Sequence, residues 1–139
     1  MSYLLDTNVL SEVRKPRPDD RVMSFLESTD PDELFVSALT VGELHRGVAR
    51  LRRTDPDGAT AIAAWLTGME RSFADRILAV DAAVAGRWGR LSADRSRPVV
   101  DTLIAATAIV HDLTLVTRNV HDMRGLDVRT VDPWSVVAA

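Results

Sequence analysis

Tyr3-Leu4-Leu5-Asp6-Thr7-Asn8-Val9-Leu10 is the stretch on which the fold turns. Three residues suited to a buried strand run into an acid. Thr7 and Asn8 follow, and Val9, Leu10 and Val13 then recur at helical spacing. A strand-to-helix junction of this kind sets Asp6 at the carboxyl end of the first strand, and in open α/β sheets that rim is where ligands bind. An aspartate there can hold a metal ion. Asp and Thr are also favoured helix caps, so Asp6 or Thr7 can equally do no more than start the helix. The choice rests on where the later acids fall.

Working outward, Lys15-Pro16-Arg17-Pro18 interrupts the helical pattern, because proline stops a helix and biases its predecessor away from helical geometry. Val22, Phe25 and Leu26 repeat at helical spacing and predict a second helix over residues 19–28. Asp30-Pro31-Asp32 is turn chemistry, and Leu34-Phe35-Val36 suits a second buried strand. Thr40, with Glu43 three residues on, has the spacing of a capping box. Val41, Leu44, Val48 and Leu51 form an apolar stripe beyond it, with Glu43, Arg46, Gly47 and Arg50 on another face. Asp55-Pro56-Asp57-Gly58 closes this section. A long helix follows, with Ile62, Trp65, Leu66, Met69 and Phe73 facing the core or a partner.

Ile77-Leu78-Ala79-Val80 predicts a third strand, with Asp81 capping a helix that carries Val84, Trp88 and Leu91. Residues 92–97 are polar and loop-like. Pro98 suits the first turn of the next helix, which runs to His111. Leu113-Thr114-Leu115-Val116-Thr117 and Val128-Arg129-Thr130-Val131 read as strands four and five, and Asp132-Pro133-Trp134 as a packed chain end. Strands alternating with helices predict an α/β fold with a parallel sheet covered on both faces.

A chain of 139 residues is enough for one domain, here 1–139, with a single core. Its 46% apolar and 27% charged residues are ordinary for a soluble globular protein. Without cysteine it has neither disulfides nor thiolate metal sites, which fits a reducing compartment. The first apolar run is cut at Asp6 with no basic stretch before it, and no segment is long enough to span a bilayer, so a cytoplasmic location is expected. A net charge of −3 argues against nucleic-acid binding by bulk positive charge. It leaves room for a nuclease whose acids gather around a cation. Basic residues cluster at Arg46, Arg50, Arg52 and Arg53, and again at Arg87, Arg90, Arg95 and Arg97. Singly, each reads as a solvated helix face.

Four acids stand out against this frame. Asp6 closes strand one, Glu43 sits in the first turn of the helix after strand two, Asp101 opens the helix before strand four, and Asp122 follows strand four. Strand ends of a parallel sheet share one rim, so residues distant in sequence can converge there. A cluster of carboxylates persists only when its repulsion is offset, and a hard divalent cation with oxygen ligands does this. Taken singly, Glu43 can complete a capping box, Asp101 can favour its helix dipole, and Asp122 can be a turn residue. Together at one rim they point to phosphoryl chemistry.

The segments Leu4-Leu5-Asp6-Thr7-Asn8-Val9-Leu10-Ser11-Glu12, Ser37-Ala38-Leu39-Thr40-Val41-Gly42-Glu43-Leu44, Asp101-Thr102-Leu103-Ile104-Ala105-Ala106-Thr107-Ala108 and Leu115-Val116-Thr117-Arg118-Asn119, in this order, resemble a PIN-domain ribonuclease. The resemblance is to the VapC and FitB toxins of type II toxin–antitoxin pairs. It implies a three-layer α/β/α fold with a central parallel sheet of about five strands in the order 3-2-1-4-5, and a site at the sheet's carboxyl edge. It maps an acidic metal site onto Asp6, Glu43 and Asp101, with Asp122 as a more variable fourth acid beside the neighbouring Asn119. Thr7, Asn8, Thr117 and Asn119 match polar positions that bond the acids, water or substrate.

The implied activity is endoribonucleolytic hydrolysis by metal-activated water, with Mg²⁺ or Mn²⁺, leaving a 5′-phosphate and a 3′-hydroxyl. Asp6 and Asp101 would bind metal most directly. Glu43 would bind through water or orient the nucleophile, and Arg46 and Arg50 are candidates for phosphate contacts. The resemblance also implies an RNA substrate, a homodimer and a cognate antitoxin that inhibits the toxin. Val9, Leu10, Val13, Val22, Phe25 and Leu26 are candidates for an apolar groove receiving an amphipathic helix, or for this chain's own core.

Three other readings compete. A histidine-based ribonuclease needs paired general base and acid, and His45, His111 and His121 are scattered. An aspartyl-phosphate enzyme of the haloacid-dehalogenase type wants a second Asp where this chain has Asn8. A catalytically inactive PIN module that binds RNA or a protein partner is the rival of another class, and the joint presence of Asp6, Glu43 and Asp101 argues against it.

Overall fold

The computed structural model describes residues 1–135; the expectation of one domain running to Ala139 extends beyond them. At its centre lies β1 (Tyr3–Leu5), flanked by β2 (Leu34–Ser37) and β4 (Thr114–Val116), with β3 (Ile77–Leu78) and β5 (Thr130–Val131) at the edges. Every pairing is parallel and the order is β3-β2-β1-β4-β5. Leu4 stands opposite Phe35 on one side and Leu115 on the other, and Leu5 opposite Val36 and Val116. Because side chains alternate across a strand, these rows feed two cores, one on each face of the sheet, where the sequence led to a single one.

One core gathers Leu5, Val36 and Val116 with Val9, Leu10, Val22, Leu44, Val48, Leu66 and Met69. These come from α1 (Thr7–Val13), α2 (Asp20–Glu27), α3 (Ala38–Leu51) and α4 (Pro56–Ser72). The other gathers Leu4 and Leu115 with Ile104, Ala105 and Ala108 of α6 (Val99–Val110), and α5 (Ala82–Leu91) packs along α6. Alanines at 105, 106 and 108 are fully buried and let α6 lie close against the sheet. Full burial of a leucine-sized side chain contributes about 1.5–3 kcal/mol, so both faces are firmly held. This is the three-layer α/β/α arrangement the sequence implies.

Several local expectations change. The helix after β2 starts at Ala38, not after Thr40: Ser37 is its cap, accepting from the Leu39 amide at 3.0 Å. Thr40 lies inside the helix and is fully buried, which puts Glu43 in the second turn, outside a capping box. Asp55 starts α4 instead of closing the preceding section, with Pro56 at the first helical position and the Gly58 amide donating to its carboxylate at 3.0 Å. A Cβ at Gly58 would collide with that carboxylate. β3 is shorter than the run 77–80, because Asp81 caps α5 and turns the chain away while Val80 points to solvent at 39% exposure. Strands four and five likewise pair over fewer residues than their apolar runs, and the second helix is trimmed to Asp20–Glu27 with Asp19 as its cap.

The chain order reverses between β1 and β4, one leading to β2 and β3 and the other to β5. A crevice opens outside the carboxyl ends of such a pair. Asp6 and Thr117 are the first residues past those ends, and the sheet continues briefly through them, with Asp6 N donating to Val116 O and Thr117 N to Val131 O.

Candidate active site

Asp6 is fixed from two directions. Its Oδ1 accepts from the Thr7 amide at 2.8 Å, the cap of α1, and its Oδ2 accepts from the Thr117 hydroxyl at 2.8 Å. The two sequence readings of Asp6 are therefore compatible: one carboxylate both caps the helix and faces the crevice. Thr117 Oγ1 in turn accepts from the Asn119 amide at 3.0 Å and from Asn8 Nδ2 at 3.3 Å. Thr7 Oγ1 donates to Glu43 Oε1 at 2.6 Å, tying α1 to α3. Thr7, Asn8, Thr117 and Asn119 thus form a hydrogen-bonded frame around the first acid.

A cleft of 430 Å³ opens over this frame, lined by Asp6, Glu43 and Asp101 together with Thr7, Asn8 and Asn119. Asp6 is 4% exposed, and burial pushes its carboxyl above the ordinary value. The hydrogen bonds from Thr117 and Thr7 oppose this rise, and the charges of Asp101 and Glu43 add to it. Asp101, in the first turn of α6, is also raised, by burial first and then by Glu43 and Asp122. Two carboxyls held above their usual range beside further negative charge describe a site short of positive charge.

Asp122 sits in a short 3₁₀ turn after β4 and lines an adjoining cavity together with Asp101; Asn119 is the member of that loop that lines the cleft itself. Arg46 and Arg50 stand exposed on α3, outside the residues lining the cleft. Among the described residues, no three acidic or imidazole groups are close enough together to form a ready-made metal cage. An all-oxygen set around an open cleft nevertheless suits a small hard cation, since magnesium binds through one or two carboxylates and keeps several waters. The donor chemistry of the cleft therefore fits a divalent ion, and Asp6, Glu43 and Asp101 are the acids that could hold it.

Five cleft residues were not singled out as site residues from the sequence: Ser11, Glu12, Lys15, Arg118 and Trp134. Glu12 is buried, pairs with Lys15 Nζ at 2.9 Å and accepts from the Asp19 amide at 3.0 Å, clamping the proline-rich loop after α1. Those two bonds hold its carboxyl below the ordinary value. The Arg118 guanidinium lies 5.0 Å from the Trp134 ring centroid, and Trp134, at 6% exposure, is the packed chain end expected as well as a cleft wall. Arg118 lies between Thr117 and Asn119 and was findable by position; the other four needed the fold.

With this geometry, the PIN domain pattern matches residues 3–125. The chain is 35% identical over 140 residues to Toxin FitB of Neisseria gonorrhoeae, covering 94% of this chain and 97% of that protein. A chain in the crystal structure of FitAcB from the same organism superposes with a TM-score of 0.88 at 34% identity, covering 96% of this chain and 99% of that one. A VapC ribonuclease of Sinorhizobium fredii is 32% identical, covering 94% and 96%. A toxin-antitoxin complex from Klebsiella pneumoniae contains a chain matching with a TM-score of 0.69 at 27% identity, covering 97% of this chain and 100% of that one. The chain belongs to the PIN-domain family, in the branch of the FitB and VapC toxins.

Proposed function

We propose that this protein is the toxin of a type II toxin–antitoxin pair, a single PIN domain acting in the cytoplasm as a Mg²⁺- or Mn²⁺-dependent endoribonuclease. The observation that carries the reading is the convergence of Asp6, Glu43 and Asp101 on one open cleft at the sheet's switch point. Toxin and ribonuclease names among relatives spanning nearly the whole chain support it. The retained acids favour this over an inactive module. The absence of a helix long and apolar enough to cross a membrane, among the described residues, is consistent with the location.

Asp6 and Asp101 would hold the ion, which when bound supplies charge neutralisation at a phosphate and an acidified water. The chain's own residues do the positioning. Thr117 and the Thr7 amide fix both oxygens of Asp6, leaving each a free lone pair toward the cleft. Thr7 orients Glu43, whose other oxygen is available to a water nucleophile. Arg118, stacked on Trp134, and Lys15, steered by Glu12, bring positive charge to the cleft walls where an RNA backbone would lie.

The antitoxin would take the apolar groove of 480 Å³ lined by Leu10, Val13, Leu26, Trp65, Met69 and Phe73. Three of the six groove candidates from the sequence line it. Val9 and Val22 are fully buried core residues, and Phe25 packs edge-on against Tyr3 at 5.2 Å. A homodimer is part of the same reading, on the family resemblance.

The test is incubation of the purified protein, freed of partner, with total RNA and Mg²⁺ or Mn²⁺, with and without chelator, beside Asp6→Asn and Asp101→Asn. Metal-dependent cleavage lost in both variants, with 5′-phosphate ends, is expected. Cleavage that survives chelator and both substitutions would overturn the mechanism.

A further inference from the structure

The basic cluster at the end of α5 has no part in the cleft, yet two of its arginines share a cavity with one of the cleft acids. This adjoining cavity, of 240 Å³, is lined by Asp101 and Asp122. Arg95 and Arg97 line it from the loop between α5 and α6, and His121 from the turn after β4. The Arg97 side chain is only 8% exposed; one guanidinium nitrogen pairs with Asp94 at 3.1 Å, while its Nε is buried with no hydrogen-bond partner. A buried donor left unmatched is costly and uncommon. At the same place α6 begins behind Pro98 with no side chain capping it, so its first amides lack a side-chain acceptor. Such a helix end favours an anion. Pro98, Met123 and Leu126 line the same cavity, and Met123 and Leu126 are almost fully buried.

A cavity lined by cations, free amides and apolar side chains suits a group that is anionic at one end and flat and apolar at the other. We infer that this cavity is a nucleotide subsite, taking the phosphate of the RNA residue next to the scissile bond on Arg95, Arg97 and the start of α6, with its base against Pro98, Met123 and Leu126. The inference rests on the ribonuclease reading for the identity of the polymer. Asp101 and Asp122 also line the cavity, and they fix its position: a nucleotide seated there has its neighbouring phosphodiester beside the carboxylates of the cleft. The size admits one nucleotide, so any specificity it adds is for a single base adjoining the cut.

The test separates this subsite from the cleavage chemistry. The whole protein, in chelator, is titrated with adenosine 5′-monophosphate and separately with inorganic phosphate while amide and arginine Nε–H signals are followed by NMR. Nucleotide is expected to shift Arg97 Nε–H, the amides of residues 99–101 and Leu126, with phosphate shifting the first two groups only. Arg95 is exposed and outside the ion pairs of the described residues, so Arg95→Ala leaves the fold intact; loss of a charge-assisted contact there weakens binding about tenfold. The same variant, cutting an RNA oligonucleotide, is expected to raise KM by a similar factor with kcat held, and Arg95→Lys to recover most of it. Shifts centred elsewhere, or Arg95→Ala and Arg97→Lys titrating and cutting like the parent, would overturn the subsite and leave the nuclease intact. Failure of the parent to cut any RNA would sink the ribonuclease reading, while the titration would still decide whether the cavity binds a nucleotide.

Discussion

Asp6 and Asp101 face one cleft but are built differently. Asp6 is almost fully buried, and both of its oxygens are engaged by donors that are themselves held in place. Asp101 is half-buried, makes no hydrogen bond with its side chain among the described residues, and lies against the charges of Glu43 and Asp122. One half of the site is set by the fold, and the other is left for a ligand to set. A preorganised acid fixes where a cation sits, whereas an unrestrained one can follow a substrate as it enters.

The strongest way to break this contrast is to remove each acid in turn. Asp6→Asn and Asp101→Asn should both reduce RNA cleavage by more than about 100-fold, beyond the range of residues that only support a ligand. Excess Mn²⁺ should restore part of the activity of Asp101→Asn and none of that of Asp6→Asn. Equal rescue of both variants, in initial rates against metal concentration, would remove the distinction.

Thr117 tests the rigid half alone. Thr117→Val takes away the donor to Asp6 and the acceptor for Asn8 and Asn119. A loss of about 10–100-fold in metal affinity or cleavage is expected, with Thr117→Ser close to the parent. A Val variant with unchanged metal titration would show that Asp6 is positioned by burial alone.

The smallest effect concerns stability without metal. Asp101 has its carboxyl raised above the ordinary value of 3.8, so the folded state holds extra proton in the window between that value and the raised one. Its contribution is unfavourable at neutral pH and is relieved as pH falls through the folded value. Glu12 and Asp19, held low, act in the opposite sense: their stabilisation is lost only as pH falls below their ordinary values through the lower folded ones. Thermal unfolding in chelator should therefore show the melting temperature rising modestly as pH is lowered from neutral through the raised value of Asp101. Asp101→Asn should melt higher than the parent at pH 7 and show a flatter profile. A variant that melts lower at pH 7 would mean the carboxylate makes favourable contacts after all.

The same contrast explains what could be read in advance. The first strand, its terminal Asp6 and the first-turn Asp101 were legible, because apolar runs ending in an acid and a helix opening with one are local patterns. Where two local signals competed, the sequence reading failed. Ser37 and Thr40 are both plausible caps, and only packing shows that Thr40 is buried within α3. Strand lengths were overread because an apolar run marks what is buried, while pairing also needs a neighbour; β3 and β5 each have one. Glu12 closed the first motif with no role assigned to it, and its role depends on Asp19 returning to it across the proline-rich loop. Arg97 looked like one more solvated arginine. Its burial comes from how α5 and α6 meet, which no local pattern encodes.

The bond between Thr117 and Asp6 joins residues 111 positions apart. On a ribosome, Asp6 emerges early, and β1 has no β4 beside it until most of the chain has been made. The central strand, the switch-point crevice and the second anchor of the first acid all form at that late moment. A partly synthesised chain therefore holds its acids apart, and the site is assembled only once β4 and the residue after it are free to join β1.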